Sequence, residues 1–286
     1  MIRISILLIC LLPLAVLSLS PTAEAGSKDI ELELIIDKTS YMIHEPIWID
    51  ILVLNHGDDT VNVPLPNPEF DRFHFTVVQN GIDTLPYMGN ITDLLGSPPS
   101  HDLVRGDTLY GLFNLLEAYR CSKAATHLHR IPLQGEITVS ACFYPGPVVS
   151  NTLNLTVAPA SEDETGAYEL FTDHGWPVLP GPESIDRLTE LINRYPNSVY
   201  APRACRILQG TYGVFLHDVD MRVKYLNKVL DKYPNSGYVG RSISIYLDDS
   251  EGAEREAKLD SLMTDDKPFR LRMIAKKRKL GRSFYQ

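Results

Sequence analysis

The chain has 286 residues, 44% apolar and 22% charged, with 27 basic and 36 acidic side chains and a formal net charge of −9. That composition is globular, long enough for two ordinary domains, and its acidic balance makes nucleic acid a poor partner. No glycine-rich phosphate loop, Gly-x-Ser-x-Gly elbow, Cys-x-x-Cys or His-Glu-x-x-His occurs, so no catalytic residue, cofactor or metal site is assigned.

The first residues read as a targeting segment. Arg3 supplies a positive start, Ile4 to Leu19 is almost wholly apolar, and Ala23-Glu24-Ala25 fits a small-x-small cleavage site. This pattern predicts a secretory signal peptide over 1–25, cut after Ala25 and leaving a periplasmic or secreted protein. Cys10 follows Ile9 and lies too early for a lipoprotein site.

From Asp29 to Val157 the apolar period is two. Ile30, Leu32 and Leu34 alternate with acids, and Ile47, Ile49, Ile51 and Val53 form the next run. Phe73, Phe75 and Val77 follow, then Leu109, Gly111, Phe113 and Leu115, then the segments 137–141 and 153–157. Turn residues such as Asn80-Gly81 and Arg105-Gly106-Asp107 separate them. Short alternating strands with polar turns predict an antiparallel β-sandwich over 26–158, with a surface loop over 89–102. Tyr41-x-x-x-Glu45-Pro46-Ile47, followed by a strand and Asn55, resembles bacterial secreted immunoglobulin-like domains. Those domains usually carry Gly where this chain has His44.

Export places Cys121, Cys142 and Cys205 in an oxidising compartment. A disulfide between Cys121 and Cys142 is expected, closing a loop whose constraint stabilises by roughly 3 kcal/mol. His127 and His129 beside them leave two readings, a metal site or a polar strand face. Their spacing is unlike common closed sites and favours the second. Cys205 is expected to be a buried small apolar residue. Asn90 and Asn154 sit in glycosylation sequons, relevant only in a eukaryotic secretory pathway.

After the linker 158–160 the period becomes helical. Ser161 and Glu164 predict a capping box. Helices are expected near 161–173, 183–195, 199–216, 219–233, 237–248 and 251–263, a helical repeat domain over 159–266. Tyr195-Pro196-Asn197-Ser198 returns as Tyr233-Pro234-Asn235-Ser236, 38 residues on, and the flanks return with it. Leu188, Ile192, Tyr200, Arg203 and Ile207 align with Leu226, Leu230, Tyr238, Arg241 and Ile245. Proline stops each helix, Asn tolerates the turn, and Ser suits the next start. Such a period marks stacked helical hairpins. Tyr195 to Ala204 resembles bacterial tetratricopeptide-type repeats, including those of the outer-membrane-assembly lipoprotein group. The resemblance implies architecture, not ligand. The second copy departs from it at Val239 and Ser242.

Residues 267–286 carry eight Lys or Arg and no acid. Two readings stand: a final helix over 268–280 whose Phe269, Met273 and Ile274 cap the stack while its lysines face water, or a tail making weak contact with an anionic surface.

These features predict a multidomain β plus α protein and a non-enzymatic exported binding or scaffold protein for a protein or peptide partner in the bacterial envelope. Tyr200, Arg203, Arg206, Tyr238 and Arg241 are the candidate partner-binding residues. Arg forks suit carboxylates and Tyr gives contact area at low entropy cost, so a ladder of both along a concave groove suits an extended peptide. The competing account packs the tyrosines between helices. Other classes are an exported enzyme or enzyme accessory with its site around 89–102, and a cell-surface adhesion module.

Overall fold

The computed structural model describes residues 29–68, 72–85, 87, 100–118, 134–143, 148–173, 176–248 and 252–279. The N-terminal half is built of strands: β1 (Ile30–Ile35), β2 (Ser40–Met42), β3 (Trp48–Asn55), β4 (Val61–Pro64), β5 (Phe73–Gln79), β6 (Asp83–Leu85), β7 (Ser100–Leu103) and β8 (Thr108–Asn114). A short helix, α1 (Leu115–Ala118), precedes β9 (Gly135–Phe143), β10 (Val148–Val149) and β11 (Leu153–Ala158). One sheet runs β1-β3-β8, the other β2-β11-β9-β5-β6 with β10 added on β9, and β4 pairs with β7.

The alternating residues do what their period dictates. Ile49, Ile51, Val53, Phe73, Val77 and Val139 are wholly buried and share one apolar cluster drawn from both sheets. Turning residues are placed by backbone need: Asn80 and Gly81 take φ of 52° and 69° between β5 and β6, the left-handed region that Asn and Gly tolerate. Gly111 on β8 is fixed by crowding, since a Cβ there would lie 2.8 Å from the Pro66 carbonyl oxygen.

Two expectations for this half change. The pairing is not wholly antiparallel, because β2 lies parallel to β11, Tyr41 opposite Val157. The end of the expected 89–102 loop is strand: β7 pairs antiparallel with β4, Val63 opposite His101. Residues 88–99 lie outside the described set.

The C-terminal half is helical: α2 (Glu162–Phe171), α3 (Ile185–Arg194), α4 (Ala201–Gly210), α5 (Val219–Lys232), α6 (Val239–Asp248), α7 (Gly252–Leu262) and α8 (Phe269–Lys279). The single helix expected over 199–216 is shorter and changes pitch. Beyond Gly210 it widens through Thr211–Phe215, where the Leu216 N–H reaches Thr211 O, five residues back. Between α2 and α3, Trp176–Pro177 pairs with Thr172–Asp173.

The expected capping box does not form. The Ser161 side chain makes no capping bond. The Glu164 carboxylate instead accepts from Ser198 Oγ at 2.5 Å and from the Val199 N–H at 3.3 Å, tying α2 to the first repeated turn.

The repeated tetrapeptide makes the same turn twice. Tyr195 and Tyr233 close their helices at φ −125° and −124°. Ser198 N–H bonds Tyr195 O at 3.1 Å, and Ser236 N–H bonds Tyr233 O at 2.9 Å. Each serine hydroxyl then accepts from the amide two residues on, Tyr200 at 3.1 Å and Tyr238 at 3.3 Å. Pro202 fits because α4 starts at Ala201, so the proline falls in the first turn, where an N–H has no helical partner to lose. The two turns also touch: Tyr233 Oη donates to Pro196 O at 2.8 Å.

The final helix exists, with a different lining from that expected. Leu271, Ile274 and Ala275 are buried, but so are Arg270 and Lys277, whereas Phe269 is exposed. Lys279 sits 2.5 Å from Asp260 and 3.5 Å from Glu256, and Arg272 sits 2.9 Å from Asp265, so much of the basic run is neutralised within the fold.

Candidate functional site

Strand β3 has two buried faces. Its odd residues serve the inter-sheet core. Its even residues, Trp48, Asp50 and Leu52, face the helical half together with Tyr110 and Leu112 of β8. Trp48 and Tyr238 meet edge-on, 5.1 Å between centroids at 86°. Their closeness depends on Gly237: a Cβ there would lie 2.0 Å from the indole, so the Val199 of the first turn has no counterpart in the second.

Asp50 is the charged centre of this junction. Arg270 of α8 grips it with Nη2 at 2.7 Å and Nε at 3.1 Å, and Tyr110 Oη donates to it at 2.5 Å. Arg270 Nη1 also donates to Asn235 O of the second turn. Both charged side chains are 5% exposed. Burial opposes the guanidinium's charge, but the Asp50 hydrogen bonds and charge outweigh it and raise the Arg270 pKa. Burial, then Asp50, hold the Tyr110 hydroxyl well above its ordinary range. Burying a charge pair this deep is offset by these hydrogen bonds from Nε, Nη1 and Nη2 of Arg270 and from Tyr110.

A second set of contacts joins the β2–β3 turn to α2 and α4. His44 takes φ 63°, the left-handed region that suits the glycine usual in the resembling domains. Its ring stacks on Tyr168 at 6.1 Å and 6°. The His44 carbonyl accepts from Arg203 Nη1 at 3.3 Å, and the Ile43 carbonyl accepts from Tyr200 Oη at 3.1 Å. The Arg203 guanidinium also lies 5.5 Å from the centre of the Phe171 ring.

The ladder expected along an open groove is therefore largely the helical side of the junction. Tyr200 is wholly buried and Tyr238 nearly so, and Arg203 is engaged with the strand half. Tyr200, so enclosed, has no surface to offer a groove ligand, whereas Tyr238 also lines a cleft beside the junction. Arg206 is half-buried on α4, a Cβ on Gly210 lying 3.3 Å from its Nη1. The Arg241 side chain, Cys121, His127 and His129 lie outside the described residues, and the Cys121–Cys142 pairing with them. Cys142 is half-buried. Cys205 is fully buried, as expected, and burial pushes its thiol up to about 12.

Beside the junction opens a cleft of ≈ 360 Å³. Both repeated turns form one wall, through Asn197 and Ser198 and through Tyr233 to Ser236. Asp37, Glu45 and Trp48 come from the strand half, with Lys232 and Arg270 at the other side. Asn197, Lys232, Asn235 and Asp37 are exposed and offer amides and both charges to a ligand. Glu45 is buried, and burial raises its pKa although Lys38 sits 2.5 Å away and the Met42 N–H donates at 2.9 Å. Those two partners already occupy its carboxylate, and no His or Cys lines the cleft among the described residues. Among the same residues no group of three His, Cys, Asp or Glu is placed to hold a metal ion, and no helix is long and apolar enough to cross a membrane. The cleft thus presents amides, carboxylates and a lysine on a wall built from both repeated turns.

The even residues of β3 were the signal missed in the sequence. Trp48, Leu52 and Leu54 alternate with Ile49, Ile51 and Val53, and a run apolar on both faces reads as a strand covered on both.

No family model and no curated relative matches the chain. Among solved structures it is similar to the CARDB domain of the PF1109 protein from Pyrococcus furiosus, crystallised in complex with di-metal ions. The two are 13% identical over 46% of this chain and 94% of that one, with a TM-score of 0.26. It is also similar to a β-glucosidase from Listeria innocua, 14% identical over 45% of this chain and 16% of that one, again with a TM-score of 0.26.

Proposed function

We propose that the protein is an exported, non-enzymatic binding or scaffold protein of the bacterial envelope, and that its partner is a protein segment or peptide held in the junction cleft. On this reading the strand half is an immunoglobulin-like sandwich and the helical half a tetratricopeptide-type stack, and residues 1–25 direct export. The observation that carries the proposal is the pair of repeated turns standing side by side on one wall of one cleft. Their exposed amides, Asn197 and Asn235, are spaced along the wall by the repeat itself. An extended peptide needs such amides for its backbone, and Lys232 and Asp37 for its charges.

The enzyme reading draws on one observation, the raised pKa of Glu45 at the cleft wall. Its carboxylate is already committed to Lys38 and the Met42 amide, which leaves binding as the better account.

The test is a photo-cross-linker placed at Asn197, with recovery from the native envelope. One discrete protein or peptide adduct is expected, lost when Lys232→Ala and Asn235→Ala are combined, with the melting temperature unchanged because both side chains are exposed. Recovery unaffected by the double variant, or turnover of an envelope polymer by the purified protein, sinks the proposal.

A further inference from the structure

Ten large apolar side chains stay exposed among the described residues, and six of them belong to one end of the helical half: Leu179, Val214, Phe215, Leu216, Val219 and Val223. The fold gathers them. Gly181 N–H donates to Thr211 Oγ1 at 3.2 Å, bringing the loop that carries Leu179 to the start of the wide turn. Asp218 N–H donates to Tyr212 O at 2.9 Å, and a Cβ on Gly213 would lie 2.8 Å from Arg222 Cδ, so the wide turn rests on the first turns of α5. Val219 and Val223 then share one face of α5, four residues apart. The exposures are large: 76% for Leu179, 66% for Val214, 63% for Val219 and 54% for Phe215.

We propose that this end is a self-association surface whose partner is a second copy of the chain. Its area supports that occupant. Six such side chains present on the order of 500 Å², within the roughly 300–600 Å² of the largest apolar patch on a typical monomer, which is often functional. Paired across a two-fold axis, the surface buries about 1,000 Å² in total, the lower threshold of a specific interface, so the dimer is weak and concentration-dependent. The charges beside it also support a second copy. Asp218, Asp220, Arg222 and Lys224 follow in the same segment, two of each sign. A two-fold operation makes such a rim complementary to itself. A membrane surface asks for a basic rim, which this is not.

Sedimentation equilibrium of the purified protein from micromolar to millimolar concentration tests this. A monomer–dimer equilibrium is expected. Phe215→Asp combined with Val219→Asp should raise the dissociation constant about a hundredfold without moving the melting temperature, since both side chains are exposed. Amide exchange over 211–223 should slow as wild-type concentration rises and stay unchanged in the variant. A protein monomeric throughout the range overturns the proposal, as does a dimer indifferent to the double variant. So does binding to phosphatidylcholine vesicles that the double variant abolishes, which assigns the patch to lipid. Lys232→Ala should leave the equilibrium unchanged, so this test and that of the cleft fail separately.

Discussion

Strand β3 borders two interiors of opposite construction. On one side Ile49 and Ile51 meet Phe73, Val77 and other apolar side chains of the facing sheet. On the other, Asp50 meets a guanidinium and a phenol, and Trp48 meets a tyrosine edge. The first interior is held by area removed from water, which tolerates a substitution of similar volume. The second adds directed contacts, each with one geometry that works, to the apolar packing of Trp48, Leu52, Tyr110 and Leu112 on the helices. The strand half therefore coheres through bulk, and its seat on the helices depends on specific atoms as well.

The largest effect should come from the apolar side. Phe73→Ala, at a wholly buried position, is expected to cost about 4 kcal/mol in chemical unfolding, through lost burial and the cavity left behind. Next is the charged centre. Arg270→Ala leaves Asp50 buried without its counter-charge and should cost about 3 kcal/mol. The combined replacement Asp50→Leu, Tyr110→Phe and Arg270→Met should recover most of that loss. Full recovery with a loosened junction, seen as faster amide exchange in β3, would show that the ion pair specifies the seating more than it stabilises it. If the triple variant is no better than Arg270→Ala, shape and not charge dominates there.

Between these interiors lies the difference between the two turns. Gly237→Val gives the second turn the residue of the first and drives a side chain into the Trp48 ring, at an expected cost of about 2 kcal/mol. Val199→Gly should cost about 1 kcal/mol, chiefly through the flexibility of glycine in the unfolded chain. Equal losses would mean that the indole moves aside.

The smallest effect appears only at alkaline pH. Burial lifts the Cys205 thiol from 9.0 to about 12 in the folded chain. The unfolded thiol then loses its proton first, so the stabilisation is fully present below pH 9 and is lost as pH rises towards about 12. Cys205→Ala should fall off less steeply over that window. Superimposable alkaline slopes for the two proteins would show that the thiol is not enclosed.

The inter-sheet core was legible because it follows a period. Ile47 to Val53 and Phe73 to Val77 declare their inward faces by alternation alone. The repeated turns were legible because the same residues recur, and Pro196 and Ser198 each carry a local instruction. The junction has no period. Asp50 sits among apolar residues with nothing beside it to name its partner. Arg270, lying in a basic run, gives no hint that it enters an interior to meet a carboxylate. Tyr200 and Tyr238 recur at the repeat spacing, which signals a structural or a binding role equally. Tyr200 is enclosed while Tyr238 packs on Trp48 and also lines the cleft, and both placements belong to the tertiary arrangement.

The span of one bond has a consequence for how the chain is made. Arg270 and Asp50 are 220 residues apart, so the counter-charge is synthesised long after the carboxylate. Until α8 emerges, Asp50 lies on β3 without its guanidinium partner, although the second turn can already cover Trp48. Contacts of such long range also slow the search for the native state. A chain in which α8 has not docked therefore carries a carboxylate on that strand face without its counter-charge. Docking of α8 supplies the counter-charge, so the seating of the two halves is complete only once that helix has formed.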